Sequence, residues 1–431
     1  MSGENALRIA IVGLGTVGGG VIRLLETNRN LIARRAGRPI IITAVSARDK
    51  TKDRGVDISA YEWVDDMGSL AARDDIDAVV ELIGGADGPA LTLARQCLAA
   101  NKPFVTANKA MIAHHGLDLA QGAERAGVAL KYEAAVAGGI PVIKGLREGA
   151  AANEISRVYG ILNGTCNYIL TTMEKEGRAF ADVLKDAQEL GYAEADPTFD
   201  IDGIDAAHKL SILASLAFGT ALYFDNVNVT GIRHVIAADI AEAAALGFRI
   251  RLVGMAETGA DGLFQQVHPM LVPANHPLAH VDGSLNAVVA EGNFVGRLFF
   301  QGAGAGDGPT ASAVVADLID VARGEYGPAF AMPVNSLDRM AKADAGKRTG
   351  RVYLRFKVED RPGVLAEIAA ATRDAGVSIE SMIQRGESSN GGVMVAIVTH
   401  VGELACISDT LERLSGSESL LDQPMLMHIL D

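Results

Sequence analysis

The sequence predicts an α/β chain: an N-terminal doubly wound parallel sheet, an α+β region resting on an open sheet, and a small C-terminal β-α-β-β-α-β domain. Three observations carry the prediction. An apolar run at 8–12 (RIAIV) leads at once into the glycine-rich turn GLGTVG at 13–18 and a helical segment. Strand-like and helical runs then alternate as far as residue 132. After a polar, basic stretch at 336–349, the chain restarts with short alternating strands and two helical segments. A chain of 431 residues is too long for one ordinary core. The expected parts are 1–132, 133–309, a returning helix and linker at 310–349, and 350–431.

Strand, glycine-rich turn and helix in immediate succession form a dinucleotide fingerprint, which makes the first part a Rossmann-type domain. Gly13 permits the tight turn, Gly15 lets the backbone approach a pyrophosphate, and Gly18 lets helix and strand pack closely. The helix start at Thr16 and Val17 offers free N–H groups to phosphates. The second strand, 39–46 (PIIITAVS), ends in Ser46, where an NAD-specific site would place an acidic residue. Arg48 and Lys50 just beyond it suit a 2′-phosphate, so NADP(H) is the expected preference, with NAD(H) also accepted; two solvated loop cations are the alternative. Further strands at 78–83 and 104–106 alternate with helices at 89–100 and 116–126. Strand ends face the cofactor cleft in such folds, which places Thr106 and Lys109 there. Lys109 would lie near a nicotinamide and a substrate carboxylate, unless it is simply solvated. A strand at 128–133 closes the region, and AAVAGGIPVIKGL marks a crossover.

In the second part, a strand at 155–162 ends in the turn Asn163-Gly164-Thr165, which caps the helix that follows. A helix at 180–191 delivers the chain into GYAEADPTFDIDGIDAAHK at 191–209. This stretch sets Glu194, Asp196, Asp200, Asp202 and Asp205 close to one lysine. Asp205 and Lys209 are four apart and stack on one helix face. The same stripe continues through Ile212, Leu213 and Leu216, so the pair is expected to be partly buried and to need partners or a purpose. The strand-like runs NVNVTGI, RIRLVGMAE, LFQQVHPMLV, LNAVVAEG and RLFFQG predict an open sheet beneath this cleft, able to pair two subunits. A second glycine-rich loop at 302–308 brings the Gly306 amide towards the cofactor, ahead of a helix at 310–322.

A net charge of −14 excludes nucleic acid and anionic membrane surfaces as expected partners. The three cysteines, Cys97, Cys166 and Cys406, show no metal-ligand or disulfide spacing and suit a reducing cytoplasm as small core residues. The stretch MSGENALRIAIVG is not expected to be a signal peptide, and 210–224 is too short to span a bilayer. A soluble cytoplasmic protein is expected.

The motifs GLGTVGGG, TANKA, EAAVAGGIPVI, GILNGTCNYIL, LGYAEADPTFDIDGIDAAHKL and GAGAGDGPTASAV together resemble homoserine dehydrogenase with a C-terminal ACT-type regulatory domain, from about Arg8 to the end. The resemblance implies NAD(P)-dependent interconversion of L-aspartate 4-semialdehyde and L-homoserine, in threonine, methionine and isoleucine biosynthesis. It implies Lys209 as the acid/base, Asp205 as its holder and Glu194 as the partner of the substrate ammonium. Tyr192, Asp200, Gly164 and Thr165 would shape the pocket, and Lys109 would share the proton-transfer role. It also implies a sodium ion on backbone oxygens of Glu133, Val136, Gly138 and Ile140, and a homodimer or homotetramer. In the ACT-like domain, the turn at Asp360, Arg361, Gly363 and Val364 opens a helix whose N–H groups can receive the carboxylate of an effector, expected to be L-threonine. A dimerising module without an effector is the alternative.

Two other readings compete. Aspartate-semialdehyde dehydrogenase needs a nucleophilic cysteine, and Cys166 beside a helix start is the candidate. A nucleotide- and amino-acid-sensing regulator without catalysis explains the tail but leaves Asp205 and Lys209 without a task.

Overall fold

The computed structural model describes residues 5–387 and 392–431. Residues 1–4 of the expected leaderless N-terminus, and Gly391, the expected start of a C-terminal strand, lie outside the described residues.

The first part runs β1 (Leu7–Val12), α1 (Thr16–Thr27), α2 (Arg29–Ala36), β2 (Ile40–Ser46), β3 (Glu62–Trp63), β4 (Ala78–Glu81), α3 (Pro89–Ala99), β5 (Phe104–Thr106), α4 (Lys109–Ala126) and β6 (Leu130–Lys131). Its sheet has the order β3-β2-β1-β4-β5-β6, and every pair is parallel. Sequential strands run outward from β1 in both directions, so the strand order reverses beside the glycine-rich turn, where doubly wound sheets bind ligands. Helix α4 begins at Lys109, seven residues before the expected start at Gly116, because Asn108 caps it: its Oδ1 accepts from Met111 N at 3.0 Å. The expected strand at 128–133 shrinks to β6, and Glu133–Ala135 turns into a short 3₁₀ segment.

The second part contains α5 (Val142–Lys144), β7 (Ile155–Ile161), α6 (Gly164–Glu176), α7 (Phe180–Glu189), α8 (Thr198–Ile201), α9 (Ile204–Phe218), β8 (Asn228–Val229), α10 (Ala237–Ala245), β9 (Phe248–Gly259), β10 (Gly262–Pro273), β11 (Leu285–Gly292) and β12 (Gly296–Ala303). Then α11 (Asp307–Arg323) returns to the first sheet. It buries Ala311, Val314, Val315, Leu318 and Val321 in one core with Ile9, Ile11, Val21 and Val45. The helix starts earlier than expected, and Gly20 of α1 explains how it fits: a Cβ there would lie 1.9 Å from Asp307 Oδ1.

The tail is β13 (Thr349–Gly350), β14 (Val352–Glu359), α12 (Val364–Asp374), β15 (Ile379–Glu387), β16 (Gly392–Thr399), β17 (Gly402–Glu403), α13 (Leu404–Leu414) and β18 (Met425–Ile429). It forms its own core from Val352, Leu354, Phe356, Val395, Ile397 and residues of both helices. The expected half-buried alternation is corrected here. The opposite faces of β14, β16 and β18 are also buried, with Tyr353, Ala396, Val398 and Met427 joining the main core. The reason is that β18 pairs parallel with β10, so the sheet runs β12-β11-β7-β9-β10-β18-β14-β16-β15 without a break.

Candidate active site

Helix α9 places Asp205 in its first turn, where the N-terminal end of the helix dipole favours a carboxylate. Both Asp205 and Lys209 are buried. The Lys209 ammonium donates to Asp205 Oδ2 at 2.7 Å and to the Leu162 carbonyl at 2.7 Å. The second carboxylate oxygen, Oδ1, lies 2.6 Å from Lys109 Nζ. Lys109 is the first residue of α4, so the nucleotide-binding part supplies one lysine and α9 the other. Lys109 is a third exposed at its side chain, whereas Lys209 is almost closed off.

The three charges shift one another. Burial opposes the Asp205 carboxylate, but the Lys209 and Lys109 charges and their hydrogen bonds outweigh it and hold its pKa far below the usual carboxylate range. Burial pushes Lys209 below the ordinary lysine value, with the Lys109 charge adding to that and Asp205 opposing it. Burial also acts against charged Lys109, yet Asp205 beside it leaves its pKa raised. The two lysines therefore differ: Lys209 is tuned towards giving up a proton and Lys109 towards keeping one.

Asn163 ties the acidic stretch together. Its Nδ2 donates to Asp200 Oδ1 and to Asp205 Oδ2, both at 2.8 Å, while its Oδ1 accepts from Cys166 N to cap α6. Gly164 is required beside it, since a Cβ would come within 2.6 Å of Ser284 O. Burial raises the Asp200 pKa, and Asp205 adds to the rise against the Asn163 hydrogen bond. Thr165 Oγ1 donates to Tyr192 O at 2.7 Å, and the Tyr192 ring packs on Tyr168 with centroids 4.7 Å apart. Tyr192 and Glu194 are exposed, and neither bonds the Asp205–Lys209 network. Asp196 accepts from Thr198 N, and Asp202 pairs with Arg233, so both bind local structure instead of the lysines. Sequence reading missed Asn286, which donates to Leu162 O at 2.9 Å and thereby fixes the carbonyl that receives Lys209. The two residues are 124 apart in the chain, so no local signal could pair them.

Cys166 is fully buried, and burial followed by the charges of Asp200 and Asp205 pushes its thiol well above the ordinary value. Its Sγ donates to Asp200 O at 3.2 Å. A thiol held neutral in this way makes a poor nucleophile.

The glycine-rich turn fits a dinucleotide. Gly13 has φ +98°, and a Cβ there would sit 2.6 Å from the Leu82 backbone. A Cβ on Gly18 would sit 2.2 Å from Gly13 O, whereas one on Gly15 would meet no protein atom, leaving that side free for a ligand. No side chain caps α1, so the amides at Thr16 and Val17 remain available. Thr106 is buried and donates to Glu81 Oε2 at 2.6 Å, and Asn108 N donates to Thr106 Oγ1 at 2.9 Å, which steadies the start of α4. Arg48 and Lys50 are exposed and form no ion pair among the described residues. Gly306, at φ +118°, precedes α11, whose Asp307 pairs with Arg23 of α1.

At the crossover, Ala137 and Gly138 are consecutive left-handed residues, at φ +56° and +51°. The carbonyls of Val136 and Gly138 accept no hydrogen bond among the described residues, whereas those of Glu133 and Ile140 accept from Val136 N and Val142 N. The Glu133 carboxylate is taken up by Ile143 N and Lys144 N at 3.0 and 2.9 Å. In the tail, Gly363, at φ +99°, opens α12 beside a cavity of about 390 Å³ that Asp360, Arg361 and Val364 help to line. Arg361 Nη2 donates to Ser419 Oγ at 2.7 Å. Among the described residues no helix is long and apolar enough to cross a membrane.

Three family models match the sequence: homoserine dehydrogenase over 141–319, homoserine dehydrogenase, NAD binding domain, over 13–133, and ACT domain over 352–416. The homoserine dehydrogenase of Pseudomonas aeruginosa is 44% identical, covering 96% of each chain. That of Neisseria gonorrhoeae is 45% identical over 91% of this chain and 92% of its own. The crystal structure of a homoserine dehydrogenase from Thiobacillus denitrificans superposes with a TM-score of 0.93 at 40% identity, covering 99% of this chain and 98% of the other. A hyperthermophilic archaeal homoserine dehydrogenase in complex with NADPH superposes with a TM-score of 0.63 at 26% identity, over 73% of this chain and 97% of the other.

Proposed function

Because this chain belongs to the homoserine dehydrogenase family, an oxidoreductase family with a nicotinamide-binding domain, we propose a division of labour within its Lys109–Asp205–Lys209 network. The observation that carries it is the opposite displacement of the two lysines. Lys209 takes the hydroxyl proton of L-homoserine and, in the reverse direction, returns it to the carbonyl oxygen of L-aspartate 4-semialdehyde. A nicotinamide bound in the cleft would supply or accept the hydride at the carbon that bears this oxygen. Asp205 holds Lys209 in place, and Lys109, kept charged, binds the substrate carboxylate. Glu194 receives the substrate ammonium, with Asp200, Tyr192, Gly164 and Thr165 forming the walls.

NADP(H) is the preferred cofactor on this reading, supported by Ser46 in place of an acidic residue and by the free cations Arg48 and Lys50. The NADPH-bound archaeal relative agrees in kind. The left-handed turn and the uncommitted carbonyls of Val136 and Gly138 suit a hard monovalent cation, so sodium is proposed on the backbone oxygens of Glu133, Val136, Gly138 and Ile140. There it would brace the crossover between the two parts. The cavity at Asp360, Arg361, Gly363 and Val364 is proposed to take L-threonine as a feedback effector. Edge strand β12, with Phe299 exposed and Phe294 at its turn 90% exposed, supports pairing of two subunits in a homo-oligomer in the cytoplasm.

The test follows NADPH absorbance with aspartate semialdehyde, in wild type and in Lys209→Ala. Wild-type turnover together with an undiminished Lys209→Ala rate would remove Lys209 from the mechanism.

A further inference from the structure

Behind the lysine network lies a second pair of titratable groups that the proposed mechanism does not use. His208, between Ala207 and Lys209 on α9, is 4% exposed. Its Nε2 lies 3.1 Å from Nε2 of His114, which α4 carries five residues beyond Lys109. Phe224 joins the two rings: it stacks on His208 at 4.3 Å and meets His114 edge-on at 4.6 Å. Phe199 extends the cluster towards the reaction site, 5.6 Å from the His208 ring and 5.7 Å from Lys109 Nζ. The contact therefore joins the same two helices that Asp205 joins through Lys109.

The protonation pattern follows from burial. His208 Nδ1 is buried without a hydrogen-bond partner among the described residues. A buried lone pair left unmatched costs less than a buried N–H left unmatched, so the proton of His208 belongs on Nε2. It then donates to a bare Nε2 on His114, which carries its own proton on Nδ1. Burial holds the His208 pKa down at about 4, with the neighbouring His114 and then the charges of Lys109 and Lys209 adding and that of Asp205 opposing. The His115 ring lies beside His114, with centroids 6.3 Å apart, and its Nε2 is 2.7 Å from Asp87 Oδ1.

We propose that His208 and His114 are positioning residues: their hydrogen bond clamps α4 to α9 so that Lys109 and Lys209 reach the two oxygens of Asp205 together. The inference rests on the lysine roles proposed above.

The experiment measures kcat, KM for NADPH and the melting temperature in the full chain carrying His208→Gln, His208→Leu, His114→Leu and the double Leu variant. Each single Leu variant is expected to lower kcat about tenfold, with KM for NADPH unchanged within about twofold. His208→Gln, which keeps a donor at the same reach, retains most of the rate. The double variant is no worse than the poorer single one, because both remove one contact. Equal rates for His208→Gln and His208→Leu, multiplicative losses, or a lowered melting temperature with kcat intact would overturn the inference. His114→Leu, on an exposed position, decides the matter if the His208 variants do not fold. A dead Lys209→Ala beside unaffected histidine variants sinks the clamp alone; an active Lys209→Ala sinks the lysine roles first.

Discussion

Lys109 and Lys209 grip opposite oxygens of Asp205 at 2.6 and 2.7 Å, although they come from different domains and lie 100 residues apart. One carboxylate cannot raise both lysines equally when one is far more buried. Burial wins at Lys209 and the ion pair wins at Lys109.

Lys209→Ala is expected to lower kcat about 100-fold or more, the scale of a lost general acid/base. Lys109→Ala should act mainly on KM for aspartate semialdehyde. Steady-state kinetics in the reductive direction separate the two outcomes.

The pH dependence should have opposite signs in the two directions. With Lys209 in the proposed acid/base role, reduction would need its protonated form and slow as pH rises through the lowered Lys209 pKa, while oxidation would need the neutral amine and rise over the same range. Asp205 opposes the lowering. Asp205→Asn should therefore move both midpoints to lower pH while reducing kcat, as read from pH–rate profiles.

Arg48→Ala is expected to raise KM for NADPH about tenfold and leave KM for NADH unchanged, the effect of losing one charge-assisted phosphate contact. Paired titrations with both cofactors give the answer. An equal change with both would place Arg48 outside cofactor selection.

A buried bridge links the tail to the catalytic part. Arg355 Nε lies 2.7 Å from Asp239 Oδ1, and Tyr353 OH donates to the same oxygen at 3.2 Å. Asp239→Ala leaves Arg355 buried without its anion and should destabilise the chain by about 3–5 kcal/mol, measured by urea unfolding. If threonine acts as the proposed effector, a weaker effect of threonine on this variant than on wild type is the outcome expected of a bridge that also carries the effector signal.

Much of this was legible in the chain. Period and punctuation gave β1, the glycine-rich turn, β5 and β11 almost to the residue, because each depends on neighbours close in sequence. The spacing of Asp205 and Lys209 likewise announced a shared helix face. The helix expected at 116–126 covers only the second part of α4, which starts at Lys109 behind the Asn108 cap. In fact Gly116 sits inside the helix, where an added Cβ would press on Leu222 and Phe330 at 3.0 Å.

The sequence by itself determined the order of the longer strands and of most helices, the dinucleotide turn and the family, since these rest on local spacing and on motifs, whereas α2 and α10 carry no such signal. Only the tertiary structure decided which lysine is closed off from water, that Asn163 and Asn286 organise the network, and that His114 meets His208. It also decided that the C-terminal strand continues the catalytic sheet. The physical reason is the same in each case. A pKa, a hydrogen bond between distant side chains and a strand pairing all depend on burial and proximity, and these exist only once the chain has folded.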